Sequence, residues 1–183
     1  MAVVNMSNNR EKRVYSKSVH LFMALQRESK KGNKNCFRTV IIDEELDLKM
    51  MEAKCKVFGG TWRIHKTVNE RDIEKARIWL MKHLLDNPKN ASFVDSCWRT
   101  ALLQKECIYG TQKWMLDVDT KDVKKIQNFH EVLNKTGAKV YLQKETPNGF
   151  HYVIAPMDTR KVCELDYVTL LRDGYIYVKT IGE

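Results

Sequence analysis

The chain has 183 residues, 43% of them hydrophobic, which suits one domain with a real core and excludes a disordered chain. No apolar run approaches the length of a membrane span, and the polar, basic start lacks the apolar segment of a secretory signal. The net charge of +9 favours polyanionic partners such as nucleic acid or nucleotides, the alternative being a basic protein without that role. The five cysteines form no C-x-x-C pair, so we expect reduced thiols in the cytoplasm.

The first half of the chain predicts a flexible tail at 1–13, followed by one α+β domain over 14–183. Apolar residues at helical spacing predict a helix at 14–27, and alternation predicts a strand at 61–68. Asn69 is a good N-cap for a helix at 70–85. The other predicted elements here are a strand at 36–42, a helix at 43–56 and a helix from about 92 to 106.

The second half predicts a regular succession of strands and helices. A strand at 113–119 leads into a helix at 121–135, capped by Thr120 and ended by Gly137. Strands follow at 138–144 and 150–155, and further strands at 167–172 and 175–180 flank Asp173-Gly174, a two-residue hairpin signal. These elements predict an α+β fold in which one mixed sheet has helices packed against it.

Two carboxylates at the end of an apolar strand are the strongest functional signal. Asp117 and Asp119 are two residues apart, so they point to the same face of the strand. Neighbouring carboxylates repel each other unless a cation separates them, and Mg²⁺ or Mn²⁺ bound together with a nucleotide would serve. The alternative is that Asp119 only favours the dipole of the following helix.

A turn and a histidine supply the second signal. His151 follows Asn148 and Gly149 and opens an apolar strand, so its side chain could share the sheet surface with the carboxylates and contact a phosphate. Gly149 and Asn148 would allow close approach of the backbone to a phosphate. The alternatives are an ordinary half-buried histidine and a plain turn.

Basic residues near the predicted strand-to-helix turn form the third signal. Arg63 and Arg71 bracket this turn, and we expect them, with Lys66 and Arg99, to bind phosphate through charge-assisted hydrogen bonds. Most surface lysines and arginines are simply solvated, which is the alternative for each. No Walker-type loop, H-E-x-x-H or G-x-S-x-G motif occurs.

These residues resemble the archaeo-eukaryotic primase superfamily. Leu116 to Asp119 resembles its D-x-D element, and Asn148 to His151 resembles its motif ending in histidine, 32 positions beyond Asp119. The chain also resembles a group of uncharacterised phage-encoded proteins over roughly 37–183. The third acid of the superfamily has no clear counterpart, and Asp166 and Asp173 are the nearest substitutes.

The resemblance implies an RRM-like, primase-polymerase-like fold and metal-dependent nucleotidyl transfer on nucleic acid, with a nucleoside triphosphate as substrate and a role in DNA replication. It implies Asp117 and Asp119 as metal ligands, with His151 and Asp173 completing the catalytic set. A phage-encoded protein would act in the host cytoplasm. Two alternatives stay open: a non-catalytic nucleic-acid-binding protein on the same fold, and a small metal-dependent phosphohydrolase or nuclease.

Overall fold

The computed structural model describes residues 17–27, 35–41 and 44–182, and its framework is a pair of antiparallel sheets. The described residues contain nine strands, five α-helices and two short 3-10 helices, at Pro88–Phe93 and Lys105–Cys107. The strands are β1 (Ser18–Gln26), β2 (Cys36–Ile41), β3 (Trp62–Thr67), β4 (Arg71–Asp72), β5 (Trp114–Val118), β6 (Val140–Glu145), β7 (Phe150–Ile154), β8 (Val168–Leu171) and β9 (Tyr175–Ile181). The helices are α1 (Glu44–Phe58), α2 (Ile73–Asp86), α3 (Val94–Leu102), α4 (Val123–Lys135) and α5 (Arg160–Cys163).

The two sheets divide the chain unevenly. The N-terminal sheet has the order β2-β1-β3-β9, with the short β4 paired to the start of β1. The C-terminal sheet has the order β6-β7-β5-β8. Along the chain this unit runs β5-α4-β6-β7-α5-β8, a β-α-β-β-α-β succession. In the sheet, its first strand β5 lies between its third and fourth strands, β7 and β8, and its second strand β6 is at the edge beside β7. The α+β class is therefore confirmed, whereas the expectation of a single mixed sheet is wrong.

Separate apolar clusters anchor the helices to the sheets. Met51 and Cys55 of α1 pack on Phe22, Trp62 and Ile64 of the N-terminal sheet. A second cluster joins β1 to α2 and α3, and a third joins the C-terminal sheet to α4 and α5. The buried members of the second are Val19, Leu21, Ala76, Ala101, Leu102 and Cys107. Those of the third are Leu116, Val118, Phe129, Leu133, Tyr152, Ile154, Val162 and Val168.

A small apolar cluster joins the two sheets to each other. It consists of Val68 just after β3, Met115 in β5, Val153 in β7 and Ile176 in β9, all buried. Fully burying side chains of this size contributes roughly 1.5–3 kcal/mol each. The other face of the C-terminal sheet is covered by helices, so the central strands β5 and β7 make apolar contacts on both sides.

The helix expected at 14–27 is a strand, and its position in the sheet explains the error. β1 lies between β2 and β3 and is buried on both faces. Val19 and Leu21 enter one apolar cluster, while Phe22 and Ala24 enter another. A strand that is apolar on both sides loses the alternation that would distinguish it from a helix.

Two expected helix caps are also corrected. α2 begins at Ile73, and its cap is Asp72, whose side chain accepts from the Lys75 N–H at 3.0 Å. Asn69 is buried instead: its side chain donates to the Lys113 carbonyl at 3.0 Å and accepts from the Lys113 N–H at 2.7 Å. The cap of α4 is Asp122, not Thr120.

The hairpin expected at Asp173-Gly174 is wrong, because the strands on either side enter different sheets. β8 pairs with β5, and β9 pairs with β3. Asp173 accepts hydrogen bonds from Asn69 at 3.1 Å and from the Arg71 guanidinium at 2.5 Å. The turn at Asp173-Gly174 therefore connects the two sheets, and the contact of Asp173 with the buried Arg71 holds it in place.

The expected tail at 1–13 lies outside the described residues. Within 17–27, 35–41 and 44–182, no helix is both long and apolar enough to cross a membrane.

Removing the partner of Arg71 should destabilise the fold. Arg71 is fully buried and Asp173 is 29% exposed, so Asp173→Ala leaves a buried guanidinium without a counter-charge. We expect a loss of about 2–4 kcal/mol, somewhat below the usual cost for a fully buried pair. Urea denaturation measures it. Asp158→Ala breaks the exposed Asp158–Arg160 pair and should change stability little. Equal small effects of both variants would contradict this role of Asp173.

Candidate active site

A row of polar residues crosses the C-terminal sheet. Asp117 of β5 is paired in register with His151 of β7 on one side and with Thr169 of β8 on the other. His151 is paired in turn with Lys144 of β6. Directly paired residues lie on the same face of a sheet. The His151 Nε2 atom lies 3.3 Å from Asp117 Oδ1, so the expected neighbourhood of these two side chains is present.

The sequence of β5 explains why a carboxylate appears at this point. Leu116 and Val118 face the helices and are fully buried, whereas Met115 faces the cluster between the sheets. Asp117 follows Met115 on the same face by alternation. It is half-buried, with 28% of its side chain exposed. The carboxylate therefore stands where the apolar contact between the sheets ends.

Asp119 continues this face beyond the end of β5. Its backbone N–H donates to the Tyr167 carbonyl at 2.9 Å, which extends the ladder with β8 by one step. Alternation then places Asp119 on the face of Asp117. Its side chain is exposed and makes no hydrogen bond or ion pair within the described part of the chain. Because Asp122 caps α4, the alternative that Asp119 serves only the helix end has no support.

Gly149 brings the turn between β6 and β7 against the strand that carries the carboxylates. A Cβ atom on Gly149 would stand 1.9 Å from the Val118 carbonyl oxygen and 2.9 Å from the Thr120 nitrogen. The turn is closed by Thr146, whose N–H donates to the Gly149 carbonyl and whose hydroxyl accepts from the Gly149 N–H. Asn148 is exposed at the tip. Close approach does require glycine here, but the partner is backbone of the same protein.

The bonding of His151 fixes its tautomer. The Tyr177 backbone N–H of β9 donates to His151 Nδ1 at 3.0 Å. An accepting Nδ1 carries no proton, so the neutral ring holds its proton on Nε2, the atom that faces Asp117. His151 is buried, and its bond to β9 joins the two sheets. It therefore presents one oriented donor to the carboxylate row.

His65 forms the other side of this junction. Its ring lies edge-on to Tyr177, with 5.9 Å between the centroids, and its Nδ1 atom is buried without a partner in the described structure. Burial lowers the pKa of His65 to about 4, and nearby His151, Arg63 and Arg27 add to the effect when they are charged. His65 is consequently neutral at physiological pH.

The structure places Arg71 and Asp173 away from the carboxylate row. Asp173 and the Lys113 carbonyl share the Asn69 amide group as donor. Lys113 precedes Asp117 by four residues, so this contact lies ~13 Å along the strand direction from Asp117. Arg71 is fully buried beside Asp173 and has no exposed surface for a phosphate. Neither expected role, third acid or phosphate contact, is supported by this geometry.

The other predicted basic residues are dispersed. Arg63 is half-buried in β3, opposite Thr180 of β9. Lys66 lies over the Phe22 ring, with 5.9 Å from Nζ to the ring centroid. Arg99 lies on α3 and lines a cleft with β2. Arg63 acts electrostatically on His65 and has no recorded contact with the carboxylates in the described residues.

The carboxylate row offers some of the ligands that a divalent cation needs. Asp117 and Asp119 offer two carboxylates on one face, which fits a Mg²⁺ ion that takes one or two carboxylates and completes its shell with water and phosphate oxygens. In the described residues, no group of three or more His, Cys, Asp or Glu side chains could hold a metal by itself. A cation here would take its remaining ligands from water and phosphate oxygens.

Sequence reasoning placed Lys144 near the carboxylates, as its pairing with His151 shows, but missed two members of this site. Thr169 is the outer member of the row on β8, and only the pairing register places it there. His65 comes from the other sheet, more than 50 residues before Asp117. The alternation of β3 indicated which face of the strand carries His65, but not that this face would meet the C-terminal sheet.

Comparisons with protein-family models, curated proteins and solved structures find no match to this chain.

Gly149→Ala should destabilise the protein strongly. The added methyl group meets backbone atoms of β5, which cannot move aside like the end of a side chain, so we expect a loss of at least about 2–3 kcal/mol. Thermal and urea denaturation measure it. Gly137→Ala is the control: that site has φ +67° but nothing within 4 Å of the new Cβ. It should cost about 1 kcal/mol through backbone strain alone. Equal losses would show that crowding at Gly149 is unimportant.

The buried His65 should make the protein less stable in mild acid. Its pKa is about 4 when folded against an ordinary value of 6.5, so the unfolded chain binds the proton first. Stability should fall as the pH drops from about 6.5 to 4, by about 2–3 kcal/mol from this group. His65→Gln should remove that part of the pH dependence, measured as urea midpoints at pH 7 and 4.5. Parallel curves for the variant and wild type would refute the assignment.

Proposed function

We propose that this protein is a metal-dependent nucleotidyltransferase of primase-polymerase type that acts on nucleic acid. The observation that carries the proposal is the row of His151 and Asp117, with Asp119 one step further along the same face. Two adjacent carboxylates and one oriented imidazole at the end of a buried strand are suited to a cation and a triphosphate.

The topology of the C-terminal sheet supports the same assignment. Its β-α-β-β-α-β succession with interleaved strand order is the arrangement expected of an RRM-like fold. The carboxylates lie on the face away from α4 and α5, at the margin of the contact with the N-terminal sheet. His151 accepts from the Tyr177 N–H of that sheet, so the row lies beside both sheets.

Each side chain has a chemical role under this proposal. Asp117 and Asp119 would hold Mg²⁺ or Mn²⁺, which supplies charge stabilisation at the reacting phosphate. His151 keeps its ring fixed through the Tyr177 N–H and directs its Nε2 proton into the row, where a phosphate oxygen can accept it. Lys144 adds a positive charge beside His151. The net charge of +9 favours a polyanionic substrate.

One observation favours a second candidate function. Thr169 occupies the β8 position directly opposite Asp117, where a third acid of the row would stand. Asp173 is paired with Arg71, and Asp166 is exposed two residues before the start of β8. A nucleic-acid-binding protein without catalytic turnover would need no third acid, and it would keep the same sheet and basic charge.

Removing both carboxylate charges should abolish turnover without harming the fold. Asp117→Asn with Asp119→Asn keeps size and relieves repulsion, so the melting temperature should stay or rise slightly. Incorporation of labelled nucleoside triphosphate with Mn²⁺ and a single-stranded template should fall by at least about 10²-fold. Mn²⁺ with nucleotide should raise the melting temperature of the wild type and not of the variant.

Asp86→Asn with Asp95→Asn is the matched control, because it makes the same charge change at exposed sites on α2 and α3. It should keep both activity and the response to Mn²⁺. A wild type that binds Mn²⁺ and nucleotide without forming product would favour the non-catalytic function. A wild type without any response to Mn²⁺, beside a double variant that melts clearly lower, would make the carboxylates structural.

A further inference from the structure

A second charged feature lies at the opposite edge of the N-terminal sheet. β2 is the outer strand there and pairs only with β1 among the described strands. A cleft of about 450 Å³ lies between β2, α1 and α3, and each element contributes one cation: Arg38, Lys54 and Arg99. No carboxylate of the described residues lines this cleft, so its charge is uncompensated there.

The cleft has a defined construction. Phe37 stacks on Trp62, with 4.8 Å between centroids and 14° between planes. The Lys54 Nζ atom lies 4.4 Å from the centroid of the Phe37 ring, so a fixed aromatic side chain holds this ammonium group. On α3, Arg99 shares a helix face with Ser96 and Thr100; the Thr100 hydroxyl donates to the Ser96 carbonyl at 3.0 Å, so Ser96 supplies the hydroxyl donor of the cleft.

The charges and donors together identify the class of ligand. Three like charges around one opening repel each other, and an anion between them relieves that repulsion. Guanidinium, ammonium and hydroxyl groups all donate hydrogen bonds to phosphate oxygens. The outward N–H groups of an edge strand such as β2 add further donors.

The extent of the cleft indicates a chain of phosphates. A second cleft of about 250 Å³ adjoins the first; Phe37, Arg38 and Lys54 line both, and Asp47 also lines the second. The two clefts together are longer than one phosphate needs, and all three cations line the first, which we call the basic channel. We propose that the basic channel binds the phosphate backbone of a nucleic-acid strand. The inference rests on the proposed function for its choice of a strand, while the phosphate chemistry stands on the channel alone.

The test is the salt dependence of strand binding. The triple variant Arg38→Gln, Lys54→Gln, Arg99→Gln is compared with Lys82→Gln, Lys89→Gln, Lys124→Gln, which removes the same charge from exposed sites elsewhere. Fluorescence anisotropy with a labelled single-stranded oligonucleotide gives Kd from low to moderate KCl. The channel variant should bind at least tenfold more weakly, and its slope of log K against log salt should be shallower by about 2 for three lost phosphate contacts. The control should change Kd less than threefold.

Two results would overturn the proposal. One is an equal loss of binding in both triple variants, which would mean diffuse charge. The other is unchanged binding in the channel variant while its melting temperature equals that of the wild type. If the channel variant melts lower, Arg38→Lys with Arg99→Lys serves instead. The lysine double variant should keep the salt slope and weaken binding by less than the glutamine triple variant. A Kd that is unchanged in both of these channel variants would again reject the channel.

A melting experiment with nucleotide distinguishes failure of this inference from failure of the proposed function. Melting of the channel variant with Mn²⁺ and a nucleoside triphosphate should shift as in the wild type, because those ligands are expected at Asp117 and Asp119. Loss of that shift together with retained oligonucleotide binding would assign the channel to free nucleotide and reject a strand. Strand binding by the wild type without any Mn²⁺ response would sustain the channel and sink the proposed catalysis.

Discussion

The contact of His151 with the backbone of β9 is the interaction on which the candidate site depends. β9 is the edge strand of the N-terminal sheet, and its Tyr177 N–H would be unsatisfied in the junction without the His151 acceptor. The same bond fixes the tautomer and aims Nε2 at Asp117. A structural requirement of one sheet thus sets the chemical state of a side chain on the other.

The arginines of this chain have two different roles that the sequence alone does not distinguish. Arg71 and Asp173 carry the chain between sheets as a buried pair, with Asn69 tying Asp173 to the backbone before β5. Arg38 and Arg99 have no carboxylate partner in the described structure and line an open cleft. Burial decides which role an arginine has, because a buried guanidinium needs a fixed counter-charge and an exposed one can accept a ligand.

Much of the C-terminal half could be predicted because its signals are local. The apolar strand before Asp117, the Gly137 helix end and the turn at Asn148-Gly149 each depend on a few adjacent residues, and the strands and helix lie where these indicate. β1 could not be recognised, because burial on both faces removed its alternation. The split at Asp173-Gly174 depends on which strands β8 and β9 find as partners, and pairing at long range leaves no mark in a turn sequence.

The N-terminal sheet separates the basic channel from the carboxylate row by a distance that its strand order allows us to estimate. The basic channel follows β2 at one edge, while His151 contacts β9 at the other, and β1 and β3 lie between them. Three inter-strand spacings amount to ~14 Å. This is the separation through the sheet; α1 packs on one of its faces and α2 with α3 on the other, so a nucleic-acid strand that joined the two features would follow a longer path around them. The carboxylates attract a cation and repel the backbone, whereas the channel attracts it. A strand held by the channel would therefore reach the carboxylate row only with a cation in place, and strand binding and metal binding would be coupled through charge.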